Sequence, residues 1–154
     1  MILICGLTLS IELWSDDAFI TINESLNRLE LEPDYEGKQL DIQYFLTKKC
    51  AGAYQVLLQI EEEDFEEMTS KFINASIGLR MMIGGNKPEG LDKSRDEITL
   101  EVNADIDDLK DGYENHLVTW YESAERNPEA IFSKPFAEDL SICMSIADGM
   151  SKSK

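Results

Sequence analysis

One histidine, three cysteines and an excess of carboxylates are the residues of this chain that could carry out chemistry. Asp and Glu number 31 against 14 Lys and Arg, which gives a formal net charge of −17. Any Ser-His or Cys-His arrangement would need His116 as its base. His116 lies beside Leu117 at the edge of an apolar helical stripe, a position typical of a structural histidine. We therefore predict that the protein is not an enzyme.

The cysteines Cys5, Cys50 and Cys143 are far apart in the sequence and form no C-x-x-C pair. With a single histidine they give none of the usual zinc-ligand spacings. Their odd number and wide separation favour buried thiols in a reducing compartment over a disulfide framework.

Two acidic runs, 61–67 and 105–111, raise the possibility of a calcium site, since calcium prefers oxygen ligands. In the second run the third required ligand falls on Leu109 and the glycine position on Lys110, so the pattern fails. The first run is typical of a helix N-terminus, where the helix dipole favours carboxylates. Gly84-Gly85 lacks the spacing of a phosphate loop. We predict no metal and no cofactor.

The charge also limits the partners. With a pI near 4.3 the protein is negatively charged at neutral pH and repels phosphate backbones and anionic lipids. We therefore predict no nucleic-acid and no membrane partner. The apolar start, Met1 to Leu9, lacks a basic region, is soon followed by Glu12 and is too short to cross a bilayer. These features predict a cytoplasmic protein.

Alternating apolar and polar residues predict strands in six short segments. These segments are 7–13, 19–24, 29–32, 40–46, 54–60 and 98–104. Segment 54–60 is also rich in helix formers, but its alternation favours a strand. In segment 40–46 the apolar residues share one face and the polar residues the other, which is typical of a one-sided antiparallel sheet.

Helical spacing of apolar residues predicts three helices. They cover 64–78, 106–124 with Asp105 as N-cap, and 136–147, while Pro128 bends or ends the second. The order of elements predicts an α+β fold, a single twisted antiparallel sheet packed with helices. Residues 1–150 would form one domain and residues 151–154 a disordered tail.

Several short segments occur in the order found in a known family. In the second half these are Phe72-Ile73-Asn74-Ala75-Ser76, Gly84-Gly85, Gly90-Leu91-Asp92, Asp96-Glu97-Ile98-Thr99-Leu100 and Trp120-Tyr121-Glu122-Ser123-Ala124-Glu125. The first half adds the predicted strands around 16–22, 29–32 and 39–44. With them the chain resembles type III secretion chaperones of the Tir-chaperone class. The resemblance implies a homodimer that keeps the extended N-terminal segment of a secreted effector competent for secretion.

Leu29, Leu31, Ile42 and Tyr44 are the candidate client-binding residues. They lie on predicted strands with polar opposite faces, and an extended client needs a pocket at every second residue. The alternative for each of them is burial under helix 106–124.

A dimer interface is predicted from helix 64–78 and the apolar run that follows it. Together they hold more large apolar groups than one small sheet needs to cover. The candidates are Phe72, Ile77, Leu79, Met81 and Ile83, with an ordinary core role as the alternative.

The charge supports a different function equally well. An acidic immunity or antitoxin protein, or a nucleic-acid mimic, would inhibit a basic partner through carboxylates that stand in for phosphates. Such a complex should weaken steeply with salt, whereas an apolar chaperone groove should not.

Overall fold

A computed structural model describes residues 19–31, 34–60, 62–85, 93–124 and 126–152. All regular structure in these ranges is helical: α1 (Ile22–Glu30), α2 (Gln39–Leu58), α3 (Glu62–Gly85), α4 (Arg95–Glu122) and α5 (Lys134–Lys152). A 3₁₀ turn, Tyr35–Lys38, leads into α2. The predicted α+β fold is wrong, because these ranges contain no strand and the fold is all-α.

Helix α2 is the centre of the fold and contacts each of the other four α-helices. Most of its second half, from Lys49 to Leu57, is buried. A helix with neighbours on every side carries apolar residues on every side and loses the one-sided 3.6-residue pattern. Residues 54–58 of the predicted strand 54–60 lie in this buried half of α2, where the helical pattern is lost, so the strand was wrongly predicted. The predicted strand 40–46 is also wrong, because it lies in the first half of α2, in which Asp41 and Gln43 are exposed and Phe45 is buried.

The crossing of α2 and α4 is close. A Cβ atom added to Gly52 would lie 3.1 Å from the backbone nitrogen of Lys110 and 3.2 Å from Cβ of Leu109. The flanking Ala51 and Ala53 are fully buried. Small residues on α2 therefore let the two helix backbones approach.

Helix α4 begins earlier than predicted, at a capping box formed by Ser94 and Glu97. The backbone N–H of Ser94 donates to Oε2 of Glu97 at 2.8 Å, and that of Glu97 donates to Oγ of Ser94 at 3.3 Å. This arrangement satisfies two N–H groups of the first turn. Asp105, predicted as the cap, lies in the middle of the helix.

The predicted strand 98–104 is therefore part of α4. Ile98 and Val102 are buried one turn apart, whereas Leu100 is 71% exposed. The alternation that suggested a strand combined residues from opposite sides of a helix.

Helix α1 includes residues 22–24 and 29–30 of two further predicted strands, 19–24 and 29–32, so both predictions are wrong. Its N-terminus is a second capping box, in which the backbone N–H of Thr21 donates to Glu24 at 2.9 Å and that of Glu24 to Thr21 at 3.1 Å. Residue 32 and the predicted strand 7–13 lie outside the described residues.

The three predicted helices are confirmed as parts of α3, α4 and α5. Helix α3 continues through the apolar run 79–83 to Gly85, and α4 ends at Glu122, before Pro128. Residues 151 and 152, predicted as tail, belong to α5, and residues 153 and 154 lie outside the description. The helices contribute to one apolar core, and the single domain over 1–150 stays a prediction.

A disulfide joins Cys50 of α2 to Cys143 of α5, with the two Cα atoms 5.3 Å apart. Both residues are fully buried. The prediction of thiols is wrong for this pair, because residues 93 positions apart in sequence meet through packing. Cys5 lies outside the described residues.

Candidate binding groove

A groove of about 550 Å³ lies between α1, α2 and α4. It is lined by Ile20, Ser25, Arg28, Leu29, Lys38, Asp41, Ile42, Tyr44, Phe45, Lys48, Asp105, Asp108 and Leu109. Its volume is within the range of protein ligand sites, about 300 to 1,000 Å³. We refer to it as the α1–α2–α4 groove.

Apolar and charged side chains both line the groove. The apolar ones are Ile20, Leu29, Ile42, Phe45 and Leu109, with the ring of Tyr44. The charged ones are three cations and three carboxylates: Arg28, Lys38, Lys48, Asp41, Asp105 and Asp108. The groove is thus electrically balanced in a chain whose net charge is −17.

Tyr44, Lys48 and Asp105 join α2 to α4 along one wall. Lys48 Nζ lies 2.5 Å from Oδ2 of Asp105, to which the Tyr44 hydroxyl also donates at 3.3 Å. Lys48 Nζ is 4.2 Å from the centre of the Tyr44 ring. Burial, reinforced by the charge of Asp105, raises the pKa of Tyr44, so its hydroxyl stays a donor.

The opposite wall, α1, is held at its N-terminal end by buried polar groups. The backbone N–H of Ile22 donates to Oδ1 of Asp139 at 2.8 Å, and the Tyr113 hydroxyl donates to Oδ2 at 2.8 Å. Lys49 Nζ donates to the carbonyl oxygen of Ile20 at 2.6 Å. We call these five residues the α1 anchor.

Burial shifts the ionisation of the two charged residues of this anchor. It lowers the pKa of Lys49, against the attraction of Asp139 and Glu24. It raises the pKa of Asp139, against the hydrogen bonds from Ile22 and Tyr113. Burying the charge of Lys49 or of Asp139 costs desolvation free energy, and the hydrogen bonds of each residue offset part of that cost.

Phe19 fixes the chain just before α1. Its ring stacks on His116 with 4.1 Å between centroids and lies 5.1 Å from the ring of Tyr113. Lys49 Nζ lies 5.2 Å from the Phe19 centroid, within cation–π distance. The chain therefore reaches the groove, where Ile20 is a lining residue, from a fixed point.

His116, the predicted structural histidine, bonds to the start of α5. Its Nε2 lies 2.7 Å from Oγ of Ser133, which also accepts from the backbone N–H of Phe136 at 3.4 Å. Ser133 is only 2% exposed, so this pair presents no accessible nucleophile. Partial burial lowers the pKa of His116, which favours the neutral ring.

The described ranges contain neither a metal-binding cluster nor a membrane-spanning helix. No group of three or more His, Cys, Asp or Glu side chains there could hold a metal ion. None of the helices in those ranges combines the length and the apolar character needed to cross a membrane.

Three of the four predicted client-binding residues, Leu29, Ile42 and Tyr44, line the groove. Leu31 lies after the end of α1, is 86% exposed and does not line it. The three residues meet because α1 and α2 place them there, and not through the strands on which they were predicted. Their role in binding stays a prediction.

Other lining residues were missed. Leu109 was visible as part of the predicted apolar stripe of α4, whereas Asp105 was predicted only as a helix cap and Lys48 was not singled out. These two residues are 57 positions apart and meet only through the packing of α2 on α4.

The predicted dimer residues divide into two groups. Phe72 is fully buried, 5.4 Å from the ring of Tyr54, and Ile77 is 8% exposed, so both have the core role that was the alternative. Leu79, Met81 and Ile83 are half-buried on α3. The homodimer stays a prediction.

No protein-family model, curated protein or solved structure matches this chain. Among the segments that suggested a type III secretion chaperone, 39–44 lies in α2, 96–100 lies in α4, and the described parts of 16–22 and 29–32 lie in or beside α1. Because these residues form helices where the resemblance needs strands, it adds nothing to an assignment of the groove.

Proposed function

We propose that this protein is a binding protein that holds an apolar segment of a partner protein in the α1–α2–α4 groove and catalyses no reaction. The observation that carries the proposal is the groove itself, in which apolar side chains from three helices occur together with six charged ones. An apolar centre with a polar rim is the usual anatomy of a protein–protein interface.

The shape of the groove favours a protein segment as its occupant. Its lining follows α2 from Lys38 to Lys48, a length of about 15 Å at 1.5 Å per residue. Tyr44 and Arg28 belong to the residue types enriched at interfaces. Helical walls suit an amphipathic helix that lays its apolar face into the groove.

The form of binding differs from the one that the sequence suggested. Strand addition needs a free sheet edge, and the described helices offer none. Whether the partner is a secreted effector is left as a prediction. The net charge keeps separate copies of the protein apart, while apolar contacts in a balanced groove provide the affinity.

An acidic inhibitor of a basic protein is the second candidate. Asp96, Asp107, Asp108 and Asp111 are exposed on α4 and form an acidic surface along that helix. A partner that used this surface would bind through charge, and its affinity would fall as salt is added.

A displayed library of random peptides, selected on the immobilised protein, separates the two candidates. The matched variants are Leu29→Asp, inside the groove, and Leu31→Asp, which changes an exposed leucine outside it. We expect enriched peptides with apolar residues three and four apart. Leu29→Asp should weaken their binding about tenfold or more, as expected for an interface anchor, and Leu31→Asp should leave it unchanged.

Two results would contradict the proposal. Enriched peptides rich in Lys and Arg, with affinity that falls steeply with salt, would identify the acidic inhibitor instead. Equal binding to wild type and Leu29→Asp, with Leu29→Asp folded by circular dichroism, would place the binding site outside the groove.

The predicted cytoplasmic location enters the proposal only as a prediction, because the cystine Cys50–Cys143 is typical of oxidising compartments. Thiol titration in denaturant, on protein blocked during cell lysis, tests it. Three cysteines less the two in the cystine leave one reactive thiol, whereas a fully reduced chain has three.

A further inference from the structure

We propose that residues 1–18 of the same chain occupy the α1–α2–α4 groove until a partner segment displaces them. This inference rests on the proposed function, since it assigns a competitor to the same groove. It concerns which segment binds there, and three observations carry it: the apolar content of residues 1–18, their point of attachment and their charge.

Residues 1–18 are rich in large apolar side chains. They include nine large apolar residues: Met1, Ile2, Leu3, Ile4, Leu7, Leu9, Ile11, Leu13 and Trp14. Exposing so many apolar groups to water is unfavourable, and burial in an apolar groove removes that cost.

The segment is attached at the groove. Phe19 is fixed against His116 and Tyr113, and the next residue, Ile20, lines the groove. From Ile20 to Trp14 an extended chain reaches about 20 Å, more than the roughly 15 Å of groove along α2. Tethering by so few residues gives an effective concentration of about 1 mM, so even weak intrinsic affinity keeps the groove filled.

The charges of the segment suit this site better than the rest of the surface. Glu12, Asp16 and Asp17 are its charged side chains, and it has no Lys or Arg. The strongly negative chain repels them in general, but Arg28, Lys38 and Lys48 balance the carboxylates of the groove. An acidic, apolar segment therefore meets less repulsion in the groove than the net charge of the chain would give on average.

The two tryptophans of the chain, Trp14 and Trp120, allow a direct test. In full-length Trp120→Phe protein, all tryptophan emission comes from Trp14. We expect blue-shifted emission that acrylamide quenches poorly, as for a buried indole. Adding Leu29→Asp or Ile42→Asp should shift the emission to the red and increase quenching several-fold, while Leu31→Asp should change neither. Circular dichroism checks that each variant is folded.

Three results would overturn the inference. Emission like that of free tryptophan in the Trp120→Phe protein would show that Trp14 is exposed. A red shift caused by Ile131→Asp, near the end of α4, and not by Leu29→Asp, would place the segment on another surface. Burial of Trp14 that depends on concentration, together with a mass of twice 17.5 kDa in light scattering, would show exchange between two copies.

The proposed function fails independently of this inference. If Trp14 is exposed and selected peptides still bind through Leu29, the groove is a partner site without an internal competitor. Suppose instead that Trp14 is buried, that Leu29→Asp exposes it, and that no peptide binds even to Trp14→Asp protein. The groove then binds only residues 1–18 of its own chain, and the proposed function is wrong. If the proposed function and this inference are both correct, Trp14→Asp should raise the apparent affinity for the peptides, because the groove is unoccupied in a larger fraction of molecules.

Discussion

The α1 anchor and the α2–α4 crossing hold the two walls of the groove by different physical means. At the anchor, Asp139 accepts hydrogen bonds from the backbone N–H of Ile22 and from the Tyr113 hydroxyl, and Lys49 donates to the carbonyl oxygen of Ile20. At the crossing, Gly52 lets two helices approach so closely that an added Cβ would lie 3.1 Å from the backbone nitrogen of Lys110. The α1 anchor depends on every hydrogen-bonding group being present. The α2–α4 crossing depends on close packing of the two helices. The α1 wall should therefore open locally, and the α4 wall only when the whole fold unfolds.

Removing the cystine between α2 and α5 should have the largest effect. In the paired variant Cys50→Ala/Cys143→Ala, we expect a loss of about 4 to 5 kcal/mol in the free energy of unfolding, from the chain-entropy estimate for a loop of this length. Urea unfolding with and without reductant measures it. If reductant shifts the wild-type midpoint no more than it shifts the variant, the bond does not form in solution.

Asp139→Ala should break the anchor with a smaller and more local effect. It leaves the Ile22 N–H and the Tyr113 hydroxyl without this acceptor and removes the attraction of the Asp139 charge for Lys49, a loss of about 3 kcal/mol. Hydrogen exchange should accelerate in α1 more than in α2 and α3. Glu138→Ala, its exposed neighbour, is the control and should change stability by less than about 0.5 kcal/mol. Uniform acceleration in all helices would remove the distinction between the two walls.

Gly52→Ala tests the crossing. The added methyl group would meet the backbone nitrogen of Lys110 at 3.1 Å, and such overpacking costs about 1 to 3 kcal/mol. The better helix propensity of alanine offsets about 1 kcal/mol, so we expect a net loss of about 1 kcal/mol in thermal unfolding. In α3, Gly78 has nothing within 4 Å of its added Cβ, and Gly78→Ala should stabilise the protein instead. A gain of stability at both positions would contradict the close crossing.

The smallest effect concerns pH at His116, beside the anchor. Because burial lowers its pKa in the folded state, its contribution to stability is present above the unfolded value of 6.5 and is lost as the pH falls through the folded-state pKa. His116→Gln should therefore narrow the gap in melting temperature between about pH 7.5 and about pH 5. An unchanged gap would mean that the pKa of His116 is the same in the folded and the unfolded protein.

The helices could be predicted only where their neighbours lie on one side. The apolar stripes of α3, α4 and α5 gave those helices, because each shows one face to the core. The second half of α2 is buried on almost every side, so its sequence carries no stripe and resembles a strand. Two capping boxes, Thr21 with Glu24 and Ser94 with Glu97, were visible in the sequence and would have identified the starts of α1 and α4.

The groove could be predicted in part. Leu29, Ile42 and Tyr44 were found because they are large apolar residues among polar neighbours, which marks them in a helix as in a strand. Their meeting with Leu109, Lys48 and Asp105 is a product of tertiary packing, which residue spacing does not reveal. The cystine was missed for the same reason, since sequence alone does not give the pairing of distant cysteines.

The bond between Cys50 and Cys143 also determines how the molecule responds to force. If the protein is pulled by its two ends, tension passes from α2 directly into α5 through the sulfur atoms. The residues between the two cysteines, which include all of α3 and α4, carry no load. Only residues 1–49 and 144–154 can lengthen, by about 3.3 to 3.6 Å each, and α1 lies on that stretched path. A mechanical pull would therefore remove one wall of the groove while the closed loop keeps its length.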